Sequence, residues 1–328
     1  MRFGLFGGPS RGESDDASAY RSYVEMVQEA EQLGFYGAYL VEHHFTGNGQ
    51  LSSSLALLSH LAAKTSTMRL GTAVVVLPWH NPMVVAEQAA TVDVLSNGRL
   101  DFGVGRGYRD YEFSGFGINI DEGQERFEEA MEVIRKAWTS DGRFSHHGKR
   151  WHFDNVVAEP TPVQRPHPPL WTGAGSQTSI EAAAKSGYNL YLDQVGIFDL
   201  SIERVGWFRA ACEAVGRPYD PSMVALTRSL RLAHSAAERE GLVESQMQAL
   251  TELAESTRPP EQGGRNVFYS PPEARRETVE GASIIGTPDE CIERLKRLEA
   301  GGVEQVLFTR GRAHDLELFA REVMPAFQ

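Results

Sequence analysis

Two histidines and a carboxylate directly follow an apolar run near the start of the chain. Residues 36–41 (Tyr-Gly-Ala-Tyr-Leu-Val) are typical of a buried strand, and Glu42, His43 and His44 come next. Polar groups that are taken out of water need hydrogen-bond partners, and the carboxyl ends of parallel strands are where ligands bind in α/β proteins. We therefore expect these three residues in an active site. The alternative is an ordinary surface loop after a strand.

Two glycine-rich stretches further along the chain are candidates for holding a phosphate group. Three glycines in residues 103–107 surround Arg106, whose forked and permanently charged guanidinium suits a phosphate. Their spacing is not that of a dinucleotide-binding fingerprint. Residues 173–176 (Gly-Ala-Gly-Ser) lead into a predicted helix, where free N–H groups, the Ser176 hydroxyl and the helix dipole favour an anion. Together with Arg126, they predict a site for a phosphate-bearing cofactor; the alternative is a turn with a helix cap.

The histidines do not have the spacing of a metal site. His43 and His44 are adjacent, so on an extended chain their side chains point to opposite faces. His146 and His147 are adjacent in the same way. The usual ligand spacings of zinc sites are missing, as are a nucleophilic serine elbow and a catalytic cysteine motif. We therefore predict no metal ion in this protein.

Composition and charge restrict the class of protein and its partners. The chain has 328 residues, of which 41% are hydrophobic and 23% charged, with a formal charge of −12. A sizeable core is expected, and nucleic acid and anionic membranes are not expected as partners. The two cysteines, Cys212 and Cys291, form no CxxC motif, which fits a reducing compartment. Without a recognisable signal peptide or a long apolar run, we expect a cytoplasmic protein.

Strand-like and helix-like runs alternate along the whole chain. We predict strands at residues 2–6, 36–41, 69–77, 99–105, 169–172, 189–193, 223–233 and 303–309. We predict helices at residues 18–33, 51–65, 82–95, 122–139, 176–186, 202–215, 236–255 and 287–300, and a final helix ending near residue 324. This alternation predicts an α/β fold, a TIM (β/α)₈ barrel with insertions, which takes roughly 250 residues. The runner-up is an open doubly wound sheet with a second domain.

Two stretches depart from the alternation. Residues 143–157 have the pattern of a β-hairpin that turns at Gly148. Residues 257–280 are rich in proline, glycine and charge and show little apolar periodicity, which is typical of a lid loop over an active site. A merely disordered insertion is the alternative there. We predict one domain over residues 1–328 that carries this hairpin and this mobile lid.

A set of motifs in a fixed order identifies a resemblance that covers nearly the whole chain. The chain resembles the bacterial luciferase-like flavin-dependent monooxygenases, and in pattern most closely the luciferase alpha subunit, an alkanal monooxygenase. The motifs lie at residues 2–4 (Arg-Phe-Gly), 31–35 (Glu-x-x-Gly-Phe), 42–46 (Glu-His-His-Phe-Thr), 70–73 (Leu-Gly-Thr-Ala), 76–78 (Val-Leu-Pro), 96–107, 116–117 (Phe-Gly) and 285–290 (Ile-Gly-Thr-Pro-x-Glu).

The resemblance implies a fold, a cofactor and roles for particular residues. It implies a TIM-type barrel, FMN and a dimer, for which the helices at residues 51–65 and 82–95 are the expected interface. His43 matches the catalytic histidine of the family, and Arg106, Arg126 and Ser176 match ligands of the flavin phosphate. The Ala73–Val74 bond matches a position where the family often has a non-proline cis peptide under the flavin ring. Residues 257–280 match the mobile loop of the luciferase alpha subunit.

Two positions depart from the family pattern. Luciferases have a reactive cysteine at the position that is Gly105 in this chain, and its absence argues against light emission. The carboxylate that precedes the phosphate-site serine is Gly175, a change that leaves phosphate binding intact.

The resemblance implies a two-component monooxygenase. Reduced FMN would come from a separate flavin reductase and react with dioxygen to give a flavin 4a-hydroperoxide, which would oxygenate a small apolar substrate, a carbonyl compound being one option. His43 would control the proton of that species, with Glu42 or His44 orienting its ring. Two alternatives remain open: a deazaflavin-dependent oxidoreductase, and a catalytically silent flavin-binding subunit.

Overall fold

The structure, a computed structural model, describes residues 1–9, 15–47, 50–256, 274–309 and 313–327. Its strands are β1 (Arg2–Gly7), β2 (Gly37–Leu40), β3 (Arg69–Thr72), β4 (Val75–Val76), β5 (Leu100–Gly105), β6 (Phe144–His147), β7 (His152–Val156), β8 (Leu170–Gly173), β9 (Asn189–Leu192), β10 (Val224–Leu232), β11 (Ile284–Gly286) and β12 (Gln305–Thr309). Its helices are α1 (Asp16–Gln32), α2 (Ser54–Lys64), α3 (Pro82–Leu95), α4 (Asp110–Gly115), α5 (Gly123–Thr139), α6 (Gln177–Lys185), α7 (Phe198–Ala214), α8 (Ala236–Ser256), α9 (Arg275–Ala282), α10 (Pro288–Ala300) and α11 (Ala313–Glu322).

The strands form the closed parallel barrel that the alternation predicted. The hydrogen-bonded order runs β10, β12, β1, β2, β3, β5, β8, β9, and β9 pairs again with β10. Eight strand positions therefore close the sheet, while β4 pairs with β5, and β11 pairs with the end of β10. Parallel strands joined by helices bring all of their carboxyl ends to one rim, which is where barrel enzymes carry their sites. The prediction of a TIM barrel is confirmed, and the open doubly wound sheet is excluded.

The chain divides into two compact units, and the one that comprises Gly8–Gln28 and Ala38–Thr172 contains most of the predicted site. The strand predicted at residues 69–77 is two strands here, β3 and β4, which are separated by a cis peptide bond between Ala73 and Val74. Helices α2 and α3 pack together, and α3 packs on α5. The Trp138 ring of α5 lies edge-on to Phe102 of β5, and its Nε1–H donates to the Ala86 carbonyl at 3.0 Å.

The other unit comprises Met1–Gly7, Glu29–Gly37 and Gly173–Gln328. Phe3 of β1 stacks on Phe308 of β12, and the edge of Phe319 from α11 packs against both rings. These side chains are almost completely buried. The aromatic cluster adds buried apolar area to the pairing of β1 with β12, which are in parallel register from Arg2 to Phe6.

Two stretches that interrupt the β/α alternation have defined structure where they are described. β6 and β7 form an antiparallel hairpin within residues 143–157. The predicted lid at residues 257–280 lies mostly outside the described residues. Its described end, from residue 275 on, forms the first part of helix α9, so the expectation of a loop is wrong there. Val279 and Ala282 of α9 are buried, and Val279 packs with Val243 of α8 and Ile285 of β11. Tertiary burial therefore stabilises a helix whose sequence has little periodicity. None of the helices in the described ranges is both long and apolar enough to cross a membrane.

Candidate active site

Glu42, His43 and His44 follow the end of β2, and each makes a different contact. The chain leaves the sheet after Leu40, and the His43 N–H donates to the Leu51 carbonyl at 2.9 Å. Glu42 is only 4% exposed, and both histidine rings are largely buried. Three polar side chains are thus placed in a mostly dry environment, where each needs a partner.

The partner of His43 is a carboxylate from another part of the chain. Glu112 Oε1 lies 3.2 Å from His43 Nδ1, and the same oxygen accepts the His44 N–H at 2.9 Å. Burial lowers the pKa of His43, and the hydrogen bond with Glu112 only partly offsets this effect. His43 is therefore neutral at pH 7. Because a carboxylate only accepts hydrogen bonds, the ring proton lies on Nδ1, and Nε2 carries the lone pair that takes up a proton.

Helix α4 places Glu112 beside the two histidines. The segment after residues 103–107 turns at Arg109, whose carbonyl accepts the N–H groups of Glu112 and Phe113. A side chain three residues into this short helix then projects from the same face as Arg109. Sequence reasoning missed Glu112 because it assigned only residues 103–107 to the rim, and Glu112 lies five residues after Gly107. An acidic residue between Tyr111 and Phe113 was the signal that could have revealed it.

Glu42 is hydrogen-bonded to two other imidazoles and not to His43. Its Oε1 lies 2.8 Å from His44 Nε2 and 2.6 Å from His80 Nε2, while its Oε2 accepts the Val76 N–H at 3.0 Å. Burial opposes ionisation of Glu42, but these hydrogen bonds outweigh it and hold its pKa below the ordinary value. Of the two residues that were expected to orient His43, neither makes the contact with Nδ1 that Glu112 makes.

Glu42, His44 and His80 are also a group whose ligand atoms lie within 4.8 Å of one another, the distance at which one ion is able to bind all three. Their spacing in the chain gives no sign of this, because His80 comes from the segment after β4. The distances from Glu42 Oε1 to both Nε2 atoms are those of hydrogen bonds. We therefore interpret the group as a hydrogen-bonded network, and the absence of a metal stays a prediction.

The glycines at residues 105 and 107 leave room for side chains that lie against them. A Cβ atom on Gly105 would lie 2.6 Å from Val74 Cγ2, and one on Gly107 would lie 2.7 Å from Val76 Cγ1. Gly107 also has a φ of +82°, a conformation that favours glycine. The Ala73–Val74 bond is cis, as the resemblance implied. Val74 therefore occupies the space that a side chain at residue 105 would need. Residue 105 is the position at which the resemblance places the cysteine of luciferases.

Arg106 and Arg126 supply positive charge in the same unit as His43. Arg106 is exposed, and Arg126 is half-buried on α5 with its Nε–H donating to Glu122 at 2.9 Å. Glu122 also pairs with Arg150 at 3.1 Å, so one carboxylate lies between two guanidiniums. The hydrogen bond from Arg126 lowers the pKa of Glu122. The guanidiniums of Arg106 and Arg126 are of the type that binds a phosphate.

Gly175 and Ser176 belong to the other unit, where Ser176 caps helix α6. Its Oγ accepts the Ser179 N–H at 3.2 Å, and Ser179 Oγ accepts the Ser176 N–H at 3.1 Å, a reciprocal capping box. Ser176 is exposed. The N-terminus of α6, with its backbone N–H groups and the Ser176 hydroxyl, is chemically suited to the phosphate of FMN, as are the guanidiniums of Arg106 and Arg126. The joining of these residues into one cofactor site stays a prediction.

Comparisons with known proteins show the family and the fold of the chain. A family model described as luciferase-like monooxygenase matches residues 1–305. The oxygenase component of the flavin-dependent trigonelline monooxygenase of Acinetobacter baylyi is 30% identical, over 100% of this chain and 96% of that protein. The FMNH(2)-dependent dimethylsulfone monooxygenase of Pseudomonas putida is 27% identical over 92% and 86%. The crystal structure of the monooxygenase RslO1 from Streptomyces bottropensis superposes with a TM-score of 0.85 at 25% identity, covering 100% of both chains.

Proposed function

Because this chain belongs to the luciferase-like monooxygenase family, we propose that it is the oxygenase component of a two-component flavin-dependent monooxygenase. It would receive reduced FMN from a separate flavin reductase and use dioxygen to oxygenate a small organic substrate. Two relatives support this proposal by their names, one as an oxygenase component and one as an FMNH(2)-dependent monooxygenase. The enzyme class, an oxidoreductase of the monooxygenase type, follows from the family itself.

The observation that carries the proposal is the neutral, oriented imidazole of His43. Its Nδ1–H is held by Glu112, so Nε2 is available to accept a proton and then return it. Burial lowers the pKa of His43 below its ordinary value, which favours the uncharged ring. A base that is neutral, fixed in one orientation and protected from bulk water is what oxygenation chemistry needs for controlled proton transfer.

The residues that would hold the cofactor fit reduced FMN. Within one unit of the chain, Arg106 and Arg126 would bind the phosphate, and the Ala73–Val74 segment would support the ring. Reduced FMN, when bound, supplies the electrons that activate dioxygen. The chain's own contribution is to bind the cofactor, keep water away and move the proton at His43 Nε2.

Aromatic side chains surround the proposed site and would restrict water. Phe116 packs edge-on against His44 at 4.8 Å between ring centroids and stacks on Trp79 at 5.3 Å. Phe45 lies 4.9 Å from Phe116 and is largely exposed. These rings form an apolar surface next to the residues that follow β2, which suits the organic part of a substrate.

A cytoplasmic location and a dimer are further parts of the proposal. Helix α3 exposes Val84, Val94 and Leu95, although large apolar side chains are usually buried. Val84 and Leu95 are eleven positions apart, close to three full helical turns, so they lie on one face of α3 and offer an apolar strip to a second copy of the chain. Sedimentation equilibrium tests this assembly: dimers are expected, and a monomer at micromolar concentration would contradict it.

A stopped-flow experiment tests the proposed activity. The protein is mixed with photoreduced FMN and aerated buffer, and absorbance is followed in the near ultraviolet. We expect an intermediate that lasts longer than in free solution and that decays faster in His43→Ala. Oxidation of FMN at the rate measured without protein would disprove the proposal. Tight binding of a reduced deazaflavin in the same test would favour the deazaflavin alternative, and binding of flavin without any effect on its oxidation would favour a silent subunit.

A further inference from the structure

Arg109 is a buried cation with few hydrogen-bond acceptors. It is 6% exposed, and its Nη1 donates to the Tyr111 hydroxyl at 2.8 Å. Within the described part of the chain, no acceptor lies within hydrogen-bond distance of its buried Nε–H. A guanidinium has five N–H donors and no acceptor. The Nε–H is therefore available to an acceptor that the described part of the chain does not supply.

The nearest carboxylate does not satisfy this charge. Glu112 Oε1 lies 3.8 Å from Arg109 Nη1, too far for a hydrogen bond. The same oxygen is engaged by His43 Nδ1 and by the His44 N–H, both at shorter distances. Glu112 is thus committed to orienting the histidine, and its charge only partly compensates Arg109.

The two neighbouring tyrosines also stabilise the cation through their rings, in addition to the hydrogen bond from Nη1 to the Tyr111 hydroxyl. The Arg109 Cζ lies 5.6 Å from the Tyr108 ring centroid and 6.0 Å from that of Tyr111, within cation–π range. Burial of a charge without full hydrogen bonding is costly, so an unpartnered buried donor calls for an explanation, such as a ligand, an ion or a water that completes it. The planar fork of arginine matches a carboxylate in a bidentate arrangement.

The position of Arg109 ties it to the candidate catalytic histidine. Arg109 and His43 contact the same oxygen of Glu112, so the guanidinium lies next to the imidazole in one unit of the chain. It also follows the glycine segment at residues 103–107 by two positions. An anion held by Arg109 would therefore be placed beside the group that moves the proton.

We propose that Arg109 binds the carboxylate of an anionic organic substrate beside His43. This inference rests on the proposed function and refines its substrate class: an apolar body that contacts the aromatic surface around Phe116, and a carboxylate that completes the coordination of Arg109. Arg109 is then a specificity residue, which distinguishes a carboxylate from its neutral amide. The other anion that could reach a buried arginine is the phosphate of the flavin, and the experiment separates the two.

Calorimetric titration of the flavin-free protein with benzoate and benzamide tests the proposal. We expect benzoate to bind the unmodified protein at least tenfold more tightly than benzamide. Arg109→Gln should lose this preference, and Arg109→Lys should keep part of it, because the charge remains and the fork is lost. Arg143→Gln, which changes an exposed arginine of the hairpin, is the matched control and should bind as the unmodified protein does. Circular dichroism confirms that each variant is folded.

A second titration compares FMN with riboflavin in the same variants. If Arg109→Gln weakens FMN but not riboflavin, while benzoate binding is unaffected, Arg109 is a ligand of the flavin phosphate and the proposal is wrong. Equal binding of benzoate and benzamide to the unmodified protein also overturns it. Neither result would contradict the proposed monooxygenase activity, because that activity is tested separately by stopped-flow oxidation of reduced FMN without any carboxylate ligand.

Discussion

Glu112 Oε1 lies 3.2 Å from His43 Nδ1, although 69 residues separate these two residues in the chain. The same oxygen accepts the His44 N–H, so a single buried carboxylate holds both the ring and the backbone of the segment after β2. This arrangement resembles the general pattern in which a base is oriented by a third group. It makes Glu112 a positioning residue for His43.

Replacement of Glu112 by glutamine should reduce turnover. A hydrogen bond to a charged group contributes about 1.5–3 kcal/mol, so Glu112→Gln should lower kcat by roughly tenfold to a hundredfold. Flavin binding should change little, because Glu112 contacts the histidines and not the predicted phosphate site. Asp110→Asn is the matched control, since Asp110 is an exposed acid on the same helix. Equal kcat values for Glu112→Gln and Asp110→Asn, measured under saturating substrate, would remove Glu112 from the mechanism.

The pKa of His43 predicts the acid limb of the pH profile. Burial lowers this pKa below its ordinary value of 6.5, so the neutral base persists at pH 6.5 and activity is lost only at lower pH. Arg109 further lowers the pKa of His43 and Glu112 raises it. The acid limb of kcat/KM should therefore move to higher pH in Arg109→Gln and to lower pH in Glu112→Gln. Shifts in the same direction for both variants would show that the limb does not report His43.

Glu42 should make stability depend on pH. Its folded-state pKa lies below 4.5, so its contribution is fully present above about pH 4.5 and is lost as the pH falls through the folded-state value. At pH 7, Glu42→Gln should lower the free energy of unfolding by about 1.5–3 kcal/mol, because three hydrogen bonds lose their charged acceptor. Urea unfolding of both proteins at pH 7 and below pH 4 measures the loss of stability at pH 7 and its disappearance at low pH. The exposed Glu128→Gln is the control, and a destabilisation by Glu42→Gln that stays the same at both pH values would argue against this linkage.

Gly105 and Val74 should be energetically coupled. Because a Cβ at Gly105 would lie 2.6 Å from Val74 Cγ2, Gly105→Ala should destabilise the protein by about 1–3 kcal/mol through overpacking. The double variant with Val74→Ala should recover most of that loss, as a double-mutant cycle of urea unfolding would show. Gly173→Ala is the control, since its Cβ would meet nothing within 4 Å. Additive effects of the two substitutions would refute the coupling.

Neither thiol should react while the protein is folded. Cys212 and Cys291 are buried, and burial raises the pKa of both thiols, to about 12 for Cys291. The thiolate is the reactive form, so a chromogenic disulfide reagent should modify neither cysteine at pH 8 until urea is added. Fast labelling of the native protein would show that one helix opens locally. Luciferases have a reactive cysteine where this chain has Gly105. The same result would show that neither Cys212 nor Cys291 is a reactive substitute for it.

The alternation of apolar runs predicted the barrel because burial of strands and of one face of each helix leaves a direct trace in residue order. It located β2 and the polar residues after it, and so it placed Glu42, His43 and His44 at the rim. It did not show that the segment at residues 69–77 breaks between β3 and β4. It also gave no sign of α9, because burial of Val279 against other elements stabilises that helix.

The sequence by itself determined most of the elements, the family and the residue types that are able to do chemistry. Only the tertiary structure decided which of them act together. Glu112 and His80 come from segments far from residues 42–44, and no local spacing predicts that they hold His43 and Glu42, since these contacts depend on how the strands and α4 pack. The partial isolation of Arg109 is likewise invisible in the order of residues, because burial and missing acceptors are properties of the folded chain.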